Sequence, residues 1–174
     1  MLTLLMFRHA KSDWKQDYGG NDLDRPLANR GRRAAKIAGQ FIAAAGQVPD
    51  LVLVSPALRA RQTVEIASSG ATWKATVRLD DRLYGDADGL LESIRQAPES
   101  ARTLMIVGHE PAWSEVASRL TNGAAFILPT ASVLRLDFEV DRWAEVVGRG
   151  KVVWLVTPRL IRTIRSSGFP EVNR

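Results

Sequence analysis

Three short runs of the chain are apolar but for Thr3: Leu2–Phe7, Leu51–Val54 and Leu104–Val107. Runs of this length suit strands covered on both faces, as in a parallel sheet. Between the first two, Ala34, Ile37, Ala38, Phe41, Ile42 and Ala45 recur at helical spacing, with Gly46 placed to close the helix. Ser55-Pro56 reads as the N-cap and first residue of a helix reaching about Ala67. Leu90, Leu91 and Ile94 predict a helix that ends before Pro98. Pro111 opens another, with Trp113, Val116, Ala117 and Leu120 facing inward and Asn122-Gly123 at its end. Further on, Leu134, Leu136 and Phe138 alternate with Val133, Arg135 and Asp137, Asp141-Arg142 marks a turn, and Lys151–Thr157 gives a strand. That pattern predicts an antiparallel addition near the C-terminus. Strands alternating with helices imply crossover units, so the expected fold is α/β: a three-layer α/β/α sandwich on a mostly parallel central sheet, in one domain spanning 1–174. Residues 10–29, with Trp14, Tyr18 and Gly19-Gly20, form the longest irregular stretch, of a length usually reserved for function.

Composition narrows the chemistry more than the fold. Cysteine is absent, which excludes disulfide scaffolds, thiolate metal sites and any cysteine nucleophile. Two histidines are too few for a histidine-rich metal centre, so neither metal nor cofactor is expected. The net charge of +5 resides in residues 149–174, where six basic residues (Arg149, Lys151, Arg159, Arg162, Arg165, Arg174) face one acid, Glu171. The remainder is balanced. Arginine far outnumbers lysine, a bias toward the planar fork that suits phosphate or carboxylate rather than toward general nucleic-acid binding. No segment reaches the roughly 18 apolar residues of a membrane span, and Leu2–Phe7 runs straight into Arg8 without a cleavage site. A cytoplasmic protein with no nucleic-acid or membrane partner is the expectation, as a monomer or weak dimer. Trp143 or Trp154 could supply a dimer surface, and core packing accounts for both equally well.

Ligands of open parallel sheets bind beyond the carboxyl ends of the strands. Leu2–Phe7 leads into Arg8-His9-Ala10-Lys11, Leu51–Val54 into Ser55-Pro56-Ala57-Leu58-Arg59, and Leu104–Val107 into Gly108-His109-Glu110-Pro111. Both histidines thus follow buried strands, with two arginines in the same layer. Each piece has an ordinary explanation: a satisfied structural histidine, Arg59 paired with Glu65 or Asp81, proline-marked helix starts. Jointly they describe a positive pocket with two imidazoles, which suits phosphoryl transfer. Arg8 and Arg59 can clamp the equatorial oxygens, and a protonated His109 can add a third donor. Helix N-termini after Ser55 and Glu110 would add backbone N–H groups. His9, kept neutral by the neighbouring arginines, can attack phosphorus in line.

Arg8-His9-Ala10 resembles the Arg-His-Gly signature of the histidine phosphatase (phosphoglycerate mutase-like) superfamily, with Ala for Gly. Ser55–Thr63 (SPALRARQT) resembles its second arginine motif and Gly108-His109 its second histidine motif. The opening Arg8–Trp14 (RHAKSDW) and Asp24-Arg25-Pro26-Leu27 before Arg30-Gly31 resemble the SixA-type phosphohistidine phosphatases. The resemblance spans residues 2–160. It implies a phosphoglycerate mutase-like fold, His9 as the transiently phosphorylated nucleophile, and Arg8, Arg59 and His109 as the phosphate pocket. It leaves the general acid between Asp81, which precedes an Arg-x-Tyr-Gly stretch, and Glu110, directly after the second histidine. SixA-type members often lack a clear acid, and a phosphohistidine P–N bond leaves readily once its ring nitrogen is protonated. The chain has few residues to build the water-excluding lid of mutases, which favours hydrolysis and an open site suited to a phosphorylated protein. Lys11, Ser12 and the loop through Asn21 flank that site as substrate contacts. A metal-independent phosphohydrolase acting on protein phosphohistidine is the leading expectation. The alternatives are a phosphomonoesterase for a small phosphorylated substrate and a non-catalytic phosphate-binding adaptor.

Overall fold

A computed structural model describes residues 1–15 and 20–167. Tyr18 and Gly19 of the polar loop, and Glu171 and Arg174 of the basic tail, lie outside the described residues. The apolar runs become β1 (Leu2–Arg8), β2 (Leu51–Val54) and β4 (Thr103–Gly108). With β3 (Thr76–Leu79), β5 (Val133–Phe138) and β6 (Lys151–Val156) they form one six-stranded sheet of order β3-β2-β4-β1-β5-β6. β1 to β4 run parallel; β5 is antiparallel to β1, and β6 to β5, as the alternating C-terminal pattern predicts.

The apolar runs are explained by burial on both faces. Along β1, Leu2, Leu4 and Met6 pack with α3 (Ala87–Arg95) and α4 (Ala112–Leu120). Leu5 and Phe7 pack on the other face with α1 (Asn29–Ala44), α2 (Leu58–Ser69) and α5 (Pro158–Ser166). This is the expected three-layer sandwich. α1 ends as its sequence suggests: Gly46 takes φ +66°, its N–H donates to the Ala43 carbonyl, and the Gln47 N–H donates to that of Ile42. α1 and α2 approach closely at Gly39, where an added Cβ would lie 2.2 Å from the Ala67 carbonyl oxygen.

Two elements depart from the sequence expectation. β3 is an edge strand exposed along its whole length, so no apolar run marks it. α5 buries only Pro158 and Ile161, too sparse a stripe to stand out. Trp143 is buried in the core, its indole N–H donating to the Ala101 carbonyl at 2.8 Å, and Trp154 packs edge-on against Phe41 at 5.4 Å. Among the described residues no helix is long and apolar enough to cross a membrane.

Candidate active site

The helix after β1 covers one face of the sheet and the helix after β4 covers the other. Because β1 and β4 are neighbours, their diverging connections open a crevice at their carboxyl ends, the topological switch point of the sheet. The register aligns Arg8 with Gly108, so the next residues on each strand, His9 and His109, meet across the crevice with ring centroids 5.0 Å apart. Gly108 is required there: an added Cβ would stand 2.3 Å from the Trp113 ring, which packs behind His109.

His9 is almost wholly buried. Its Nδ1 lies 2.7 Å from the Ala10 carbonyl, which can only accept, so Nδ1 carries the proton and Nε2 keeps its lone pair. Burial is the main force holding its pKa down to about 4; the Ala10 carbonyl opposes it, and Arg59, Arg8 and Arg25 reinforce it. His9 is therefore a neutral imidazole at neutral pH, and the arginines are the lesser reason. His109 is pushed lower, to about 3, by burial first and then by His9 and Arg59. Its expected role as a protonated donor thus changes: it is neutral. Ser55 Oγ, wholly buried, accepts the Ala57 N–H and sits 2.8 Å from His109 Nε2, the one acceptor among its hydrogen-bond partners for its hydroxyl proton. That places the ring proton on Nδ1, where it has no partner. Ser55 accordingly serves the second histidine. α2 itself begins later than expected, at Leu58 with Ala57 as its uncapped N-cap.

Arg8 donates from Nη1 to the Leu128 carbonyl at 2.6 Å, leaving Nε–H buried without a partner. Arg59 is buried in the first turn of α2 and pairs with neither Glu65 nor Asp81. Its two terminal nitrogens bind the carbonyl (2.6 Å) and carboxylate (2.8 Å) of Asp22, and its Nε–H is again unpartnered. Thr63 ties α2 to the β1 exit, accepting the Ala10 N–H at 3.0 Å and donating to the Arg59 carbonyl at 2.7 Å.

Asp22 is the residue that motif reading missed. It lies in a 3₁₀ turn, Asp22–Asp24, and its carboxylate receives Arg59, Arg25 Nε (2.9 Å) and the Tyr84 hydroxyl (3.0 Å). Burial raises its pKa, but the bonds from Arg25 and Tyr84 and the charges of Arg59 and Arg25 hold it at about 2. Arg25, itself buried, stacks on Trp14 at 3.7 Å and hydrogen-bonds Ser12 Oγ. Ser12 thus anchors Arg25. The available signal was the clustering of Asp22, Asp24 and Arg25 inside a long loop, which points to an ion cluster.

A cavity of about 340 Å³ beside the histidines is lined by Asp22, Arg59, Tyr84, Gly85, His109, Glu110, Pro111 and Ala112. Of the two candidate acids, Glu110 lines it, its carboxylate accepting from Ser114 N (3.1 Å) and Oγ (2.7 Å). Asp81 lines a different cavity with Arg78, Asp80 and Ser93, and Asp80 rather than Asp81 pairs with Arg82. Lys11 faces a third cavity. The structure thus brings together Arg8, His9, Arg59, His109 and Glu110, places Asp81 on a different cavity, and sets Lys11 on the wall of a third. Among the described residues no three His, Asp or Glu side chains gather as metal ligands.

Residues 4–123 match the family model of the histidine phosphatase superfamily (branch 1). An uncharacterized protein of Mycobacterium tuberculosis (strain ATCC 25618 / H37Rv) is 45% identical over 111 residues, covering 63% of this chain and 66% of that protein. The match therefore spans just under two thirds of that relative. An uncharacterized chloroplastic protein of Arabidopsis thaliana is 32% identical over 170 residues, covering 89% of this chain and 77% of that one. Among solved structures, a proposed phosphohistidine phosphatase SixA from Nakamurella multipartitia superposes with TM-score 0.78 at 28% identity, covering 90% of this chain and 96% of the other. The protein histidine phosphatase SixA complexed with tungstate superposes with TM-score 0.80 at 19% identity, covering 92% and 99%, a likeness of fold. The chain belongs to branch 1 of the histidine phosphatase superfamily, with the SixA-type form of its phosphoglycerate mutase-like fold.

Proposed function

We propose that this protein is a phosphohydrolase that needs no metal, passes the phosphoryl group through His9, and acts on phosphohistidine in proteins. The observation that carries the proposal is chemical. A neutral, oriented His9 Nε2 lone pair faces a site whose buried Arg8 Nε–H, Arg59 Nε–H and His109 Nδ1–H lack partners. Orphaned buried donors are costly, each about 1–3 kcal/mol, and a dianionic phosphoryl group repays them at once. The guanidiniums supply the charge stabilisation that metal ions supply in other phosphoryl-transfer sites.

In the first step His9 Nε2 forms a P–N bond as the P–N bond of the substrate breaks. The leaving imidazole takes its proton from solvent. Water then attacks the phosphorus of phospho-His9, releasing inorganic phosphate and returning the bonding pair to Nε2. Arg8, Arg59 and His109 hold the equatorial oxygens throughout. An ester would demand an acid for its poorer leaving group, and Glu110 is the acid beside His109. That position supports the esterase reading as the second one.

The test is hydrolysis of a phosphohistidine peptide and of para-nitrophenyl phosphate, with and without EDTA, by the wild type and by His9→Ala. Phosphohistidine hydrolysis that survives EDTA and disappears in His9→Ala supports the proposal. A rate unchanged by His9→Ala overturns it.

A further inference from the structure

Lys11, two residues beyond the proposed nucleophile, opens onto a separate cavity of about 340 Å³. Its walls are Lys11, Arg30 and Ala34, the Pro129-Thr130 turn, and Thr157, Pro158, Arg159 and Arg162. Four cations line it and no acid does. Among the described residues none of the four makes an ion pair.

The placement of these charges runs against helix electrostatics. Arg30 lies in the first turn of α1 and Arg159 in that of α5, and neither first turn holds an acid. Helix N-termini favour carboxylates there, and a cation in the first turn opposes the helix dipole. α1 also begins at Ala28 without a side-chain cap. Two helix starts that each carry a cation and converge on one hollow are self-repelling alone. An anion removes the repulsion.

The cavity also adjoins the reaction centre. Lys11 can stand no more than about 7 Å from His9 along the backbone. Pro129-Thr130 follows directly on Leu128, whose carbonyl holds Arg8. We propose that this cavity is a docking subsite for acidic side chains flanking the phosphohistidine of a protein substrate. The inference rests on the phosphohistidine reading above and adds to it the charge of the substrate. It also gives the basic C-terminal segment a purpose: Arg159 and Arg162 reach the substrate from α5. The partner is a carboxylate-rich segment: four cations without an acid among them complement a row of carboxylates, and guanidinium forks bind carboxylates bidentately.

The test uses two phosphohistidine peptides that differ only in flanking Glu or Gln residues, the wild type, and R159Q/R162Q, whose changed side chains are exposed on α5. The wild type is expected to prefer the Glu peptide about tenfold in kcat/KM, through KM, with the preference fading as salt is raised. R159Q/R162Q should lose the preference while hydrolysing para-nitrophenyl phosphate at the wild-type rate. Equal rates on the two peptides, or an equal loss on the ester, overturns the docking subsite. Weaker competitive inhibition by inorganic phosphate in R159Q/R162Q with equal peptide rates would also overturn it, in favour of a small-anion site. If neither peptide is hydrolysed but the ester is, the phosphohistidine reading fails. Docking is then read from anisotropy of the labelled, unphosphorylated Glu peptide: binding lost in R159Q/R162Q sustains it, and no difference ends it.

Discussion

The two histidines are the only ones in the chain, so their titration can be read directly. His9 is 7% exposed, donates Nδ1–H to the Ala10 carbonyl, and stands near three guanidiniums; burial foremost brings it from 6.5 to about 4. At about 1.4 kcal/mol per pH unit, protonating it in the folded protein costs about 3 kcal/mol more than in an unfolded chain. The perturbation is therefore acidification. At a pH of about 5.5 an ordinary histidine is about 90% charged, whereas His9 should remain neutral. The assay is imidazole nitrogen NMR across pH, with His109→Asn assigning the two rings. Two neutral rings are expected through that range, both protonated on Nδ1, with His9 charging only near 4. The same linkage fixes the sign for stability. A depressed histidine contributes fully above 6.5, and its contribution is lost as pH falls from 6.5 towards 4, so the melting temperature should decline over that window, less steeply in His9→Asn. A His9 midpoint at ordinary values, or a proton on Nε2, would contradict a buried, neutral His9 held by the Ala10 carbonyl.

Ser55→Ala removes the hydroxyl that sets the His109 tautomer. Expected are about a fivefold fall in kcat/KM, the worth of about 1 kcal/mol, and a mixed His109 tautomer by nitrogen NMR. An unchanged tautomer would mean Ser55 only packs. Asp22→Asn unpairs two buried guanidiniums. The carboxyl held at about 2 is worth about 2 kcal/mol at face value, and about 1 after discounting for its 44% exposure. That contribution is present above about 4 and lost as pH falls towards 2, so urea denaturation near neutrality should show the loss and denaturation near pH 2 should not. Equal stability of the two proteins near neutrality would contradict the clamp. Asp81→Asn should leave both ester and phosphohistidine hydrolysis within about twofold, whereas Glu110→Gln should slow the ester about 100-fold and phosphohistidine far less. The reverse order would return the acid to Asp81.

The buried part of this fold is readable because burial leaves a signature. β1, β2 and β4 are predominantly apolar, since both faces are covered, and α1, α3 and α4 show an inward stripe. β3 and α5 lack that signature: one is a solvent-facing edge and the other buries two residues. In the site, Arg8, His9, Arg59 and His109 were legible because each sits next to a readable strand end. Asp22 and Arg25 were not, since an ion cluster closing a loop over the site depends on contacts across 37 residues of sequence, from Asp22 to Arg59. The Ser55 hydroxyl looked like a helix cap. Only the neighbouring strand shows that it serves His109, 54 residues away.

The central claim is a covalent one: the phosphoryl group rests on His9. Rapid acid-free denaturation of the enzyme during turnover of a radiolabelled phosphohistidine peptide, followed by peptide mapping, tests it most directly. Label is expected on the peptide containing His9, stable to alkali and labile to acid, present in the wild type and absent from His9→Ala. Label on another residue, or turnover of substrate by His9→Ala at the wild-type rate, would contradict it.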